Sequence, residues 1–210
     1  MAEYDKQKGQ QIEALKENLF AIDWCLNYDK GIANEWTGDS KIGCLGIPAA
    51  ILLFSLIDTI GSVFCATDTH ISIDGVVDNK IQKASEHFYI LNHDKFFNLN
   101  LRIATIVDFY STYRSRLTHN SSLPANNYLS IGNSRDRIFE LDSESKIIKI
   151  NLLPLYELTK VSIDTLIYYL TYGTFSSDHK LTNDLESKAK PYDPSVLNKP
   201  SDTGHTLTIL

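Results

Sequence analysis

The sequence predicts a mainly helical bundle with a β-hairpin inserted before the last helix. Three observations carry that prediction. Apolar residues recur at steps of three and four in separate segments, as on one face of a helix. A nearly unbroken apolar run fills residues 47–64. After Pro124 the text changes to short extended-looking pieces around the polar turn Asp142-Ser-Glu-Ser145.

In the first segment Ile12, Leu15, Leu19, Ile22 and Leu26 form one stripe down a helix of about five turns. Asp29 to Lys41, with two glycines, Asn34 and Asp39, carries turn chemistry and breaks the period. A second helix opens at Gly46-Ile-Pro48, where proline is well placed because the first turn has no internal partner for an amide hydrogen. The run from Ile47 to Phe64 is long enough to span a membrane, but Asp58, Ser55, Thr59 and Gly61 interrupt it. A mid-span carboxylate costs roughly 2.5–3.5 kcal/mol on insertion, and no cluster of lysine or arginine flanks the run. A buried bundle helix is therefore expected, with no membrane. Asp58 then needs a partner, either the end of a neighbouring helix or an arginine of the helix that contains Arg114.

Residues 66–79 read as a loop with a short extended piece, Lys80 to Leu91 as a short helix, and Phe97 to Thr118 as a longer one striped by Ile103, Ile106, Tyr110, Tyr113 and Leu117. Tyr128 to Ile131 is an extended candidate, and the hairpin occupies about 137–152. Leu153 to Tyr172 is apolar enough to be a largely buried last helix. The domain reading is one helical domain, 1–174, followed by a polar tail, 175–210, lying over the domain or disordered.

At 210 residues and 43% hydrophobic, the chain can bury a proper core. A pI near 5.5 argues against a general binder of duplex nucleic acid, which usually spreads basic charge over a whole face. The charge is uneven, however. All five arginines (Arg102, Arg114, Arg116, Arg135, Arg137) lie between 102 and 137, and with only Asp108 and Asp136 against them that window carries +3 in a chain of net −6. Such a local positive field is what an anion site needs. Cys25, Cys44 and Cys65 are odd in number and at no metal-ligand spacing, so reduced, mostly buried thiols of a cytoplasmic protein are expected. The N-terminus has no apolar core or small-residue cleavage site that would mark it for export. His70, His87, His93, His179 and His205 are scattered, leaving no expected metal site or cofactor.

The chemistry concentrates at Arg114-Ser-Arg-Leu-Thr-His119-Asn120. A guanidinium grips phosphate with a planar fork, and an imidazole moves a proton near neutral pH. Five positions are about 140° of an α-helix, so the two meet only if the helix ends between them. Asn120-Ser-Ser-Leu-Pro124 carries strong stop signals, which would put His119 on the last turn with its ring free to swing toward the arginine. The plainer alternative is a histidine facing the last carbonyls and an arginine paired with a carboxylate.

Arg114 followed by four residues and His119, with a polar residue after the arginine, resembles the signature of the HEPN superfamily of helical-bundle ribonucleases and nucleotide-binding proteins. Tyr113, Leu117 and Asn120 around the motif, and the apolar helix with Ile57-Asp-Thr-Ile-Gly61, are similar to that family as well. The family pattern more often has Asn after the arginine; here it is Ser115. The resemblance implies a HEPN-like bundle over roughly residues 10–172, a homodimer with two motifs facing across a twofold axis, and a metal-independent endoribonuclease leaving a 2′,3′-cyclic phosphate. Arg114 would stabilise the phosphate and His119 would carry a proton, while Ser115, Arg116 and Asn120 would be further RNA or phosphate contacts. It also implies a defence or stress role and an antitoxin-type protein partner. The other reading is a non-catalytic module of the same fold, holding a nucleotide, RNA or a partner protein.

Overall fold

The computed structural model describes residues 2–32, 35–67, 69–175 and 206–207. Five α-helices, α1 (Ala2–Asn27), α2 (Gly46–Val63), α3 (Ile103–Asp108), α4 (Arg116–Asn120) and α5 (Leu152–Tyr172), dominate it. The chain is thus mainly helical, as the periodicity predicts. Leu15, Ile22 and Leu26 of the α1 stripe are buried, and so are Leu155, Leu158, Ile163 and Leu166 of α5.

Helix α2 is the central element. It packs against α1, α5 and the segment Ala84–Asn92, burying Ala49, Ala50, Leu53, Phe54, Leu56, Ile57 and Ile60 almost completely. Each large apolar side chain so buried contributes about 1.5–3 kcal/mol, so this one helix supplies a substantial share of the driving force for folding. Its length and composition would also allow it to cross a membrane, but half of the span is covered by the protein itself.

Three expectations need correcting. Residues 66–79 contain a real hairpin, β1 (Ile71–Ile73) and β2 (Val76–Asn79), paired antiparallel. It turns on Asp74 and Gly75, both at positive φ. The helix expected over Lys80–Leu91 is a 3₁₀ segment, Ala84–Asn92. The helix expected from Phe97 begins only at Ile103, because Asn98 and Asn100 take left-handed backbone angles (φ 49° each) that no right-handed helix admits.

From Ile103 the helical run continues through α3, a π-helical segment (Phe109–Ser115) and α4 to Asn120. Ser121 ends it in the left-handed conformation (φ 51°), its amide donating to the Leu117 carbonyl at 3.1 Å. The hairpin expected at about 137–152 is present as β4 (Phe139–Leu141) and β5 (Ile147–Asn151). On its other edge β5 pairs parallel with β3 (Tyr128–Ser130), and β6 (Thr206–Leu207) adds antiparallel to β3, giving the order β4-β5-β3-β6. Apart from β6 and the first residue of the stretch, Phe175, the expectation about the tail falls on residues outside those described. Cys25 and Cys44 are free and buried; Cys65 is half-buried.

Candidate active site at Asp58, His87 and Arg114

Asp58 lies two-thirds of the way along α2, on the side that meets the 3₁₀ segment and the Ile103–Asn120 helix. Its carboxylate is shared. One oxygen, Oδ2, accepts a hydrogen bond from Arg114 Nη2 at 2.8 Å, and Oδ1 lies 2.7 Å from His87 Nδ1. Thus an arginine of the motif helix, one of the two partners expected for Asp58, is bound to it. The three side chains are 21%, 28% and 14% exposed, respectively, shielded enough for directed hydrogen bonds yet not fully buried.

Two local features build this arrangement. The first is Gly61, one turn after Asp58 on α2. A Cβ placed there would lie 2.1 Å from the carbonyl oxygen of His87 and 2.7 Å from its Cα, so only glycine lets the 3₁₀ segment approach closely enough for His87 to reach Asp58. The second is the π-helical segment. Its wider turn changes the angular spacing of side chains within an otherwise α-helical run, and such segments recur at functional sites. Arg114 sits on it, with the guanidinium 5.8 Å from the Tyr110 ring centre. Tyr113 beside it is fully buried.

The helical run does not end between Arg114 and His119, as their meeting on one face required, but continues through both to Asn120, and that expectation is corrected. The remaining motif residues are on the same helix end. His119, Arg116 and Asn120 are exposed on α4 and Ser115 is half-buried. Thr118 Oγ1 donates to the Arg114 carbonyl at 2.7 Å. Among the described residues the side chains of His119 and Arg116 make no hydrogen bond or ion pair, and the imidazole that shares a carboxylate with Arg114 is His87. His87 reaches that carboxylate from 29 positions away in sequence, a contact that histidine spacing alone did not suggest. The arginine half of the plainer alternative, pairing with a carboxylate, is present.

His93 is different. It is buried beside Phe64, Phe96 and Phe175, its Nδ1 accepts the Lys95 amide hydrogen at 3.1 Å, and burial lowers its pKa. His70 is exposed; His179 and His205 lie outside the described residues. Arg102, Arg135 and Arg137 are exposed. Among the described residues no three His, Cys, Asp or Glu side chains gather as a metal site would require.

No family model matches the chain, and no curated protein or solved structure does. The chemistry must therefore be read from the geometry. A carboxylate fixing both a guanidinium and an imidazole pre-orients hydrogen-bond donors without immobilising all of them. Arg114 has five N–H donors, and Asp58 is the one side-chain acceptor recorded for them among the described residues. An anion held there would meet a preorganised site, the arrangement that stabilises charge developing in a transition state.

Proposed function

We propose that the protein is a HEPN-type, metal-independent endoribonuclease in which Arg114 holds the scissile phosphate and His119 carries a proton during attack by the 2′-hydroxyl. The observation that supports this reading best is the state of Arg114. Its guanidinium is oriented by Asp58 on a π-helical turn, keeps donors to spare, and lies five residues before an exposed histidine on the adjoining α4. Ser115, Arg116 and Asn120, on the same helix end, serve as further phosphate contacts, and the motif is completed by a second copy in a homodimer whose twofold axis doubles the site. The dependence on a 2′-hydroxyl confines the activity to RNA.

Incubating the protein with single-stranded RNA in EDTA tests it. Cleavage to 2′,3′-cyclic ends that Arg114→Ala and His119→Ala each reduce by about 100-fold or more is the expected result. Intact RNA, or cleavage indifferent to both substitutions, overturns it. The non-catalytic reading draws on one observation, that the charge of Arg114 is already balanced by Asp58; retention of RNA or nucleotide without cleavage would select it.

A further inference from the structure

We infer that His87 is a second proton-transfer residue of this site, exchanging a proton with the same phosphodiester that Arg114 holds. The inference rests on the nuclease reading and goes beyond the motif, which supplies one histidine. Cleavage by a 2′-hydroxyl moves two protons. One leaves O2′ as the O2′–P bond forms, and one must reach O5′ as the P–O5′ bond breaks, so the reaction consumes no net proton but needs both a base and an acid. His119 can serve one of these transfers.

The geometry equips His87 for the other. Its Nδ1 lies 2.7 Å from Asp58 Oδ1, which fixes the ring and assigns the Nδ1 hydrogen to the carboxylate, leaving Nε2 for exchange. Among the described residues Nε2 makes no hydrogen bond, and the side chain is 14% exposed. Arg114 is on the second oxygen of the same carboxylate, so imidazole and guanidinium are separated by the width of one carboxylate group. A phosphate on the spare donors of Arg114 is then a neighbour of the ring. The charged groups against His87 are Asp58 from α2 and, across that carboxylate, Arg114 from the motif helix. On its own segment Glu86 is directed elsewhere, to Lys83 and the Gln82 amide. His93, six residues on, differs in its setting: its ring is boxed by aromatics, and its Nδ1 takes the Lys95 amide hydrogen with the exposed Asp94 carboxylate 3.3 Å away.

The decisive variant is His87→Asn in the full-length protein, because the asparagine amide keeps a donor for Asp58 at the Nδ1 position and lacks Nε2. Cleavage of single-stranded RNA in EDTA is followed from pH 4 to 9, with affinity for a 2′-O-methyl RNA of the same sequence and helicity by circular dichroism measured alongside. Expected are a fall in kcat of about 100-fold or more, affinity and helicity unchanged, and loss of one limb of a bell-shaped pH profile, with His119→Ala removing the other limb. An active H87N protein with both limbs intact overturns the inference and leaves the nuclease reading standing. So does activity lost together with helicity, which would make the ring a packing element. No cleavage by the unmodified protein at any pH retires the nuclease reading itself.

Discussion

The two sides of the helix from Ile103 to Asn120 use the same kinds of side chain to opposite ends. On one side Asp108 accepts from Thr112 Oγ1 at 2.7 Å and from the Ile147 amide at 2.8 Å. Tyr113 donates its hydroxyl to the Ile147 carbonyl at 3.1 Å, Asn127 Nδ2 donates to that carbonyl and to the Tyr113 hydroxyl, and Thr105 donates to the Ser145 carbonyl. These bonds staple the β4–β5 hairpin to the helix, and the one charged group among them, Asp108, is met by neutral donors on both carboxylate oxygens. On the other side Asp58 joins two ionisable groups, His87 and Arg114, whose hydrogen-bonding capacity is not used up. A closed network holds structure; an open one keeps capacity for a ligand. That difference, more than any single distance, makes the Asp58 side the candidate site.

Replacing each aspartate by alanine should separate the two most widely. Asp108→Ala leaves the buried Ile147 amide without its acceptor and frees Thr112, a loss of about 2–3 kcal/mol at roughly 1–3 kcal/mol per unsatisfied buried group. Asp58→Ala removes an ion pair whose partners remain partly exposed, so a loss within about 1 kcal/mol is expected, with RNA cleavage reduced far more. Urea melts of both variants beside RNA assays decide the matter. Equal destabilisation by the two substitutions would erase the contrast between closed and open networks.

Gly61→Ala sharpens the comparison from the backbone. Its new methyl must displace the His87 main chain, at about 1–3 kcal/mol for overpacking, and carries the imidazole away from Asp58 while leaving the Asp108 staple untouched. The His87 ring resonances in NMR should lose the signature of a carboxylate partner. Unchanged resonances would mean that the 3₁₀ segment is not held by this close approach.

The helices were legible because burial is periodic: Leu15, Ile22 and Leu26 of α1, or Leu155, Leu158 and Leu166 of α5, mark the core face before any coordinates do. The late hairpin was legible from Asp142 to Ser145, and the earlier one had its signal in Asp74-Gly75 between Ile71, Ile73 and Val76. Less visible was the start of the motif helix, since nothing in Asn98 or Asn100 compels a left-handed backbone. The site was legible only by halves. Arg114 stood out by type and by the clustering of arginine, and Asp58 by being a carboxylate in an apolar helix, whose need for a partner left the end of a neighbouring helix and the motif-helix arginines both open. His87 could not be reached that way: 29 residues separate it from Asp58, and the glycine that admits it is one among ten in the chain. Nor does any local pattern announce a π-helical turn.

The smallest expected effect belongs to the closed side and depends on pH. Burial pushes the Tyr113 phenol above its ordinary value, and the nearby Asp108 charge adds to this while hydrogen bonding from Asn127 partly opposes it. In the unfolded chain the phenol ionises near pH 10. Because the folded state raises that value, the contribution of Tyr113 is fully present below about pH 10 and is lost as pH rises beyond it, where the unfolded chain gives up the proton first. Tyr113→Phe should therefore cost about 1 kcal/mol at pH 7, through the lost bond to Ile147, and melt with a shallower decline above about pH 10 than the unmodified protein. A parallel decline in the two proteins would show that the phenol reaches water in the native state, and with that the Asp108 network could no longer be called closed.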